Sequence, residues 1–340
     1  MQKIDFVLPW VDGSDKEWIA LKNKYAESKS NASNNASANS DIRYHDNGLL
    51  KYWFRGVERF APWVNRVFFV TCGQKPEWLD ESNPKLRLVN HKDYIPSEYL
   101  PTFQSNTIEL NLHRIADLSE QFVLFNDDTF LLRPVEPEFF FRKGLPVIAC
   151  DLGIPKWLGC SHISRVVINN SGILKQKLDV EHLIRKNFWK YADVKALGFT
   201  RATKNIVSFS VNRVFIPGAF GHVPQAHLKS TLNEIWHTVP LIMEKTSRNR
   251  FRSDDCVNHW LACAWNMVSG RFCPANEKSR GTHTLVNADH LDQICDIISK
   301  QSTPQICFND REVTKELEQY FHNISKAFDK LLPEKSSFEK

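Results

Sequence analysis

Two short apolar runs in this chain each stop on a pair of carboxylates, and that feature constrains the fold more than any other. Ile4-Asp5-Phe6-Val7-Leu8-Pro9-Trp10-Val11 ends in Asp12-Gly13-Ser14-Asp15, and Phe122-Val123-Leu124-Phe125 ends in Asn126-Asp127-Asp128. Runs rich in β-branched and aromatic residues, closed by turn formers, read as strands. Between them Leu49, Leu50, Trp53, Phe54, Val57 and Phe60 recur at helical spacing ahead of Pro62, so an amphipathic helix is expected from Asp46 to Phe60. Val67–Thr71 and Leu86–Asn90 read as further strands, and a second helix is expected from Ser105 to about Leu118. Strands alternating with helices specify an α/β fold with a largely parallel sheet.

The rest of the chain is less even. Residues 27–41 are polar and low in complexity, cannot cover a core face, and are expected to form a mobile loop. From Leu131 to about Phe220 the pattern is weak, with an apolar knot at Phe139-Phe140-Phe141 and helices expected near 179–197. Ser253, followed by Asp254 and Asp255, is expected to cap a helix carrying Val257, Trp260, Leu261, Ala264, Trp265 and Val268. The tail from Arg311 to Leu332 spaces Val313, Leu317, Tyr320, Phe321, Ile324, Phe328 and Leu331 three or four apart. Such a stripe either packs on its own domain or lies on a membrane surface, and mixed Lys, Glu and Asp between the apolar positions favour packing.

A formal charge of +5, from 44 Lys and Arg against 39 Asp and Glu, is far too small for a dedicated nucleic-acid binder. The opening Met1-Gln2-Lys3-Ile4-Asp5 runs directly into a strand, and no stretch approaches the ~18 apolar residues of a membrane span, so a cytoplasmic chain is expected. The eight cysteines are scattered without any C-x-x-C spacing and read as free thiols of a reducing compartment. In that compartment the N-x-S sequons at Asn31, Asn35, Asn169 and Asn323 are chance matches.

Ligands of open α/β sheets sit outside the carboxyl ends of the strands. Both acidic clusters, Asp12 with Asp15 and Asp127 with Asp128, fall there. Paired carboxylates suit a hard divalent ion, Mg²⁺ or Mn²⁺, which binds through one or two of them together with substrate phosphates. The expected substrate is therefore phosphorylated, and a nucleoside diphosphate sugar fits. Glu109 and His113 are four apart on one predicted helix, with Arg114 beside them. Gly221-His222-Val223-Pro224-Gln225-Ala226-His227 is a loop with two histidines, and Arg248, Arg250 and Arg252 cluster before the Ser253 helix. These are parts for phosphoryl transfer, with cations neutralising phosphates and a base activating a hydroxyl. Each also has a plainer reading as a turn acid, a surface pair or a solvated basic patch.

The segment from Ile4 to Asp15 resembles the first block of the Stealth family of sugar-phosphate transferases. Arg43-Tyr44-His45-Asp46-Asn47 to Trp63-Val64, then Thr71-Cys72-Gly73-Gln74, Leu100-Pro101-Thr102-Phe103 and Glu109 to Asp128, resemble its second block. The stretch ending His222-Val223-Pro224 resembles the third, and Lys245-Thr246-Ser247 through Arg252-Ser253-Asp254-Asp255 the fourth. That family includes bacterial capsular and cell-wall polysaccharide phosphotransferases and the animal lysosomal-enzyme N-acetylglucosamine-1-phosphotransferase.

The resemblance implies a Rossmann-like nucleotide-sugar transferase core over residues 1–270 and a helical C-terminal extension over 271–340. It implies transfer of a hexose-1-phosphate or N-acetylhexosamine-1-phosphate from a UDP-sugar to a glycan hydroxyl, with release of UMP. The family's catalytic positions fall on Glu109, Asp128, His222 and Arg252, with either Glu109 or His222 as the base. Donor binding is expected at Asp12, Asp46, Asn47 and Arg55, and metal binding at Asp127 and Asp128. A bacterial glycan acceptor, lipid-linked ones included, fits better than a protein, because no long insertions or recognition modules are present. The rival readings are a metal-dependent glycosyltransferase that leaves UDP and a non-catalytic glycan-binding assembly protein.

Overall fold

The computed structural model describes residues 2–27, 40–152, 159, 161–212, 220–309 and 315–340. Most of the expected 27–41 loop lies outside them, as do Asn31, Asn35 and Val313. The first half builds the sheet in the expected alternation: β1 (Ile4–Pro9), α1 (Lys16–Glu27), α2 (Leu50–Phe60), β2 (Val67–Thr71), β3 (Leu86–Asn90), α3 (Ser105–Leu110) and β4 (Gln121–Leu124). It continues through β5 (Thr129–Leu131), α4 (Pro137–Phe140), β6 (Phe141–Arg142) and β7 (Leu145–Ala149). A helical stretch follows, α5 (His162–Lys177), α6 (Val180–Lys186), α7 (Phe188–Tyr191), α8 (Val194–Leu197) and α9 (Phe199–Asn212). The remainder is β8 (Gln225–Leu228), α10 (Lys229–Thr238), α11 (Pro240–Arg248), α12 (Trp260–Val268), β9 (Cys273–Ala275), β10 (Thr282–Leu285), α13 (Ala288–Lys300), β11 (Gln305–Asn309) and α14 (Lys315–Leu331).

The central sheet has the order β3-β2-β1-β4-β8, parallel throughout except for β8, which runs antiparallel to β4. Its inner strands β1, β2 and β4 are buried and largely apolar on both faces, as a covered parallel sheet requires. Phe6, Leu8, Phe69 and Val123 point into one core, and Val7, Phe68, Phe122 and Leu124 into the other. Two small sheets flank it, β10-β11-β5 and β6-β7-β9. Both draw strands from before and after residue 270, so the C-terminal extension contributes strands as well as helices to the same body.

Two expected helices depart from their predicted bounds for local reasons. The helix from Ser105 stops at Leu110, because the Asn111 side chain donates back to the Thr107 carbonyl (2.8 Å) and to Ser247 Oγ (3.1 Å), and a 3-10 turn at Leu112–Arg114 follows. Residues 253–259 do not join α12, which begins at Trp260. There the carboxylates of Asp254 and Asp255 bind Arg165 and Lys245 of other elements instead of opening a helix. All nine residues of α12 are buried, so it is a core helix with no polar face. The tail helix α14 spans Lys315–Leu331, the expected residues before it lying outside the described ones, and Leu317, Phe321, Ile324 and Phe328 lie in the core. Tyr52 of α2 stacks on Phe328 and donates its hydroxyl to Asp329 (2.6 Å). The apolar stripe of the tail is therefore consumed inside the protein and is not available to a bilayer. None of the described helices is long and apolar enough to cross a membrane.

Candidate active site

Topology explains why distant residues meet. β1 and β4 are parallel neighbours, with Val7 opposite Leu124, so the turns that follow them leave the sheet at one edge. Because β8 runs antiparallel to β4, with Gln225 opposite Leu124, the start of β8 lies at that edge too, and the His222 loop arrives beside Asp127 and Asp128. Gln225 Nε2 holds that loop by donating to the carbonyls of Gly221 (3.1 Å) and Val223 (2.9 Å).

Asp127 and Asp128 are the middle residues of a tight turn between β4 and β5, closed by Thr129 N–H on the Asn126 carbonyl (3.1 Å) and by Thr129 Oγ1 on the same oxygen (2.7 Å). β5 then pairs with β11, placing Cys307 opposite Thr129, and β10 pairs with β11, placing His283 opposite Cys307. His283 stacks on His222 with ring centroids 5.2 Å apart. A carboxylate oxygen of Asp128, a ring nitrogen of His222 and Cys307 Sγ all lie within 4.8 Å of one another.

The opposite wall comes from α3 and the loop after α11. Phe103 N–H donates to the Arg250 carbonyl (2.8 Å), Phe251 stacks on Phe103 at 5.2 Å, and Gln104 Nε2 donates to the Thr246 carbonyl (2.9 Å). That clamp brings Arg252 to Ser105 Oγ (3.4 Å) and alongside Glu109. Burial pushes the Glu109 carboxyl up to about 7, against the pull of Arg252 and Ser105. Burial and Arg43 lower the Arg252 pKa, while Tyr44, Glu109 and Asp127 oppose the shift. His222 is exposed as a residue, but partial burial of its ring, followed by His283, Arg43 and Arg252, lowers its pKa to about 4. His222 is thus a neutral imidazole at pH 7, able to accept a proton.

Arg43 and Tyr44 reach this cleft through a close approach at Gly13. A Cβ there would sit 2.0 Å from the Tyr44 carbonyl oxygen, so only glycine lets the 41–44 segment dock on the first acidic turn. Tyr44 completes the docking by donating its hydroxyl to the Phe103 carbonyl (2.8 Å).

The structure divides the sequence candidates. It gathers Glu109, Asp127, Asp128, His222 and Arg252 around one cleft, with Asp12 and Asp46 close together nearby, where burial and then the Asp12 charge raise the Asp46 pKa. Asn47 is a turn residue whose Oδ1 accepts from Leu49 N–H (3.4 Å). Arg55 is removed from the donor-binding set. It is buried, makes a two-pronged pair with Glu339 (2.8 Å) and donates to the Leu332 carbonyl (2.9 Å), so its donors are spent on the C-terminal segment. Asp15 is removed from the acidic cluster because its Oδ1 caps α1 through Glu17 and Trp18 N–H (2.8 and 3.1 Å). His113 does not share a face with Glu109; it packs on Trp236 and bonds the Leu110 carbonyl (3.1 Å). Arg114 lies over the Trp236 ring, Arg248 pairs with Glu98, and Arg250 donates to the Pro101 carbonyl. His227 is buried against His259 (3.1 Å).

Sequence reasoning missed His162, His283 and Cys307 and gave Arg43 no role. His162 Nδ1 lies 3.3 Å from Asp254, and its pKa is held at about 4 by burial, then by Arg252, Arg43 and Arg165. Arg43 stood in the quoted second block and was legible there. His283 and Cys307 lie on short strands in a region where no motif was read.

The chain matches Stealth protein CR1, conserved region 1, over residues 2–30 and Stealth protein CR2, conserved region 2, over residues 43–148. Capsular polysaccharide phosphotransferase WcwK of Streptococcus pneumoniae is 38% identical over 345 residues, covering 100% of both chains. Receptor polysaccharide phosphotransferase WefC of Streptococcus oralis is 40% identical with the same coverage. Exopolysaccharide phosphotransferase cps2G of Lactiplantibacillus plantarum is 33% identical over 99% of this chain and 96% of its own. A solved galactosyltransferase, LgtC, covers 95% of each chain at 11% identity with a TM-score of 0.37, a likeness too slight to carry an argument. The chain is an enzyme of the phosphotransferase class. It belongs to the Stealth family.

Proposed function

We propose that this enzyme transfers a sugar-1-phosphate from a UDP-sugar to a hydroxyl of a glycan during capsular or cell-wall polysaccharide synthesis. The observation that carries the reading is the convergence of Asp128 and His222, whose ligand atoms lie within 4.8 Å, with Arg43 and Arg252 close enough to act on His222 and Asp127 close enough to act on Arg252. In the proposed step the acceptor oxygen attacks the β-phosphorus and the bond from that phosphorus to the bridging oxygen breaks. UMP leaves with the bridging oxygen, and the hydroxyl proton passes to a ring nitrogen of His222. Arg252 and Arg43 face the charge that grows on the phosphoryl oxygens. Glu109, buried beside Arg252, sets the position of that guanidinium. His222 is the better base because it is exposed to an incoming acceptor, whereas Glu109 is 5% exposed.

The carboxylates of Asp127 and Asp128 fit Mg²⁺ or Mn²⁺ as oxygen donors in a rigid turn, with the diphosphate and water as the further ligands. Bound there, the ion would supply charge neutralisation to the diphosphate. Asp12 and Asp46 are assigned to the nucleotide-sugar side of the cleft.

Incubation with UDP-sugars and an oligosaccharide or lipid-linked acceptor, followed by nucleotide analysis and phosphorus NMR, tests the reading. UMP and a phosphodiester are expected. Formation of UDP and an unphosphorylated glycoside would replace it with a glycosyltransferase.

A further inference from the structure

Exposed apolar side chains are concentrated on one part of this molecule. Of the nine large hydrophobic side chains that stand exposed among the described residues, five fall between 189 and 207: Trp189 (64%), Val194 (51%), Phe199 (75%), Ile206 (41%) and Val207 (54%). α9 carries apolar side chains on both sides: Ala202 and Phe209 pack inward, and a second apolar stripe stays outside. Its inward side carries Asn205, fully buried, whose Nδ2 donates to the carbonyls of Cys150 (3.2 Å) and Tyr191 (3.0 Å) and whose Oδ1 accepts from Leu152 N–H (3.0 Å). Its outward side carries Phe199, Ile206 and Val207 at i, i+7 and i+8, a single stripe of an α-helix. Trp189 and Val194 ride on α7 and α8, which pack against α9. A helix facing water keeps polar residues on its outer side, and an apolar cluster left outside marks a contact surface.

Charge identifies the occupant. Residues 182–212 hold six Lys and Arg against one acid, Asp193; Arg185 pairs with Glu181, Arg201 with Asp151, and buried Lys190 donates to the Gly270 and Phe272 carbonyls, which leaves three lysines as the free charge of this surface. Asp193 is spent capping α8 through Lys195 and Ala196 N–H (3.0 and 3.1 Å). Lys186, Lys195 and Lys204 are exposed and make no ion pair among the described residues. A second copy of the chain would bring the same positive surface face to face with this one. An anionic lipid bilayer offers instead an apolar layer for the aromatic rings under a layer of phosphates for the lysines.

We propose that the surface formed by α7, α8 and the outward face of α9 is a peripheral docking site for an anionic bilayer. The aromatic and aliphatic side chains enter the headgroup boundary, and the lysines pair with lipid phosphates. The proposal is independent of the chemistry assigned to the cleft, and it places membrane contact far in sequence from the amphipathic tail.

Flotation of the full chain tests it, with vesicles of phosphatidylglycerol mixed with phosphatidylcholine and vesicles of phosphatidylcholine alone. Wild-type protein is expected to float with the anionic vesicles at low salt and to be released at ~0.5 M salt, where charges are screened beyond a few ångströms. The double variant Trp189→Ser and Phe199→Ser should bind on the order of tenfold more weakly. Lys186→Gln, Lys195→Gln and Lys204→Gln lie at exposed positions where folding is not at stake, and together should lower binding by roughly fivefold per charge. Leu241→Ser, at an 82% exposed position on α11, should change nothing. Failure of the wild type to float at low salt would overturn the proposal, as would undiminished flotation of the triple lysine variant. So would sedimentation showing a dimer that the Trp189 and Phe199 substitutions dissolve, since the patch would then join two copies.

Discussion

The turn after β1 and the turn after β4 leave adjacent parallel strands at one edge of the sheet, and each carries two carboxylates. Hydrogen bonding separates them. In the first turn Asp15 caps α1 and Asp12 accepts from Ser14 N–H (2.8 Å) and Ser14 Oγ (2.6 Å), so both acids hold local backbone. In the second turn Thr129 does the local work, closing the loop on the Asn126 carbonyl, and Asp128 faces His222 and Cys307. The two turns thus differ in what surrounds their acids, local backbone in the first and the His222 and Cys307 side chains in the second.

The largest expected effect tests that contrast directly. Asp128→Asn should lower kcat on the order of 10²-fold or more, the usual cost of one electrostatic group in a reaction centre, and a chelator should abolish turnover of the wild type. Equal loss in Asp15→Asn would erase the distinction between the turns. Next come His222→Ala and Arg252→Lys, each expected to lower kcat at least about tenfold with little change in thermal unfolding, since lysine keeps the charge but loses the planar fork. With the His222 ring titrating at about 4, kcat/KM should fall only as the pH drops toward that value.

Glu109 gives a stability readout instead. Its folded pKa of about 7 lies above the usual carboxylate value of 4.5. The folded state therefore holds a proton that the unfolded state has lost between these values, and stability falls as pH rises from 4.5 to 7. Above that window the cost of the buried charge is fully present. Glu109→Gln should remove it, raising the melting temperature at pH 8, leaving it nearly unchanged at pH 4, and lowering kcat. A variant less stable at pH 8 would show that the Arg252 pairing outweighs the burial. The smallest effect is expected for Asp15→Ala, which should cost roughly a few degrees of melting temperature through loss of the cap. Its kcat should stay within about twofold of wild type.

Much of the scaffold was legible because its signals are local. β2 and β3 appear with the bounds their residues predict, and the stripe Leu49, Leu50, Trp53, Phe54, Val57 and Phe60 is buried as its spacing requires. Bounds failed where a side chain made a tertiary choice, as at Asn111 and Asp254. The family resemblance named Glu109, Asp128, His222 and Arg252 together, and the fold places them near one another, which spacing alone could not do. The resemblance also carried in Arg55, because a buried arginine clamping Glu339 and a donor-binding arginine look alike in one dimension. His283 and Cys307 were illegible for another reason: their only signal is strand register, which links residue 129 to 307 and 307 to 283.

The pairing of β5 with β11 also sets a timetable. On the ribosome β1, β2, β3 and β4 emerge within the first 124 residues, but Leu131 must wait for Gln305 before its strand has a partner. At ~5–20 residues per second the delay is roughly ten to thirty-five seconds. During that interval the nascent chain carries its acidic turn without the wall that supplies Cys307 and His283. The proposed phosphotransfer centre is thus among the last parts of the enzyme to close, and a ribosome-bound fragment ending before residue 305 should be inert toward donor and acceptor alike.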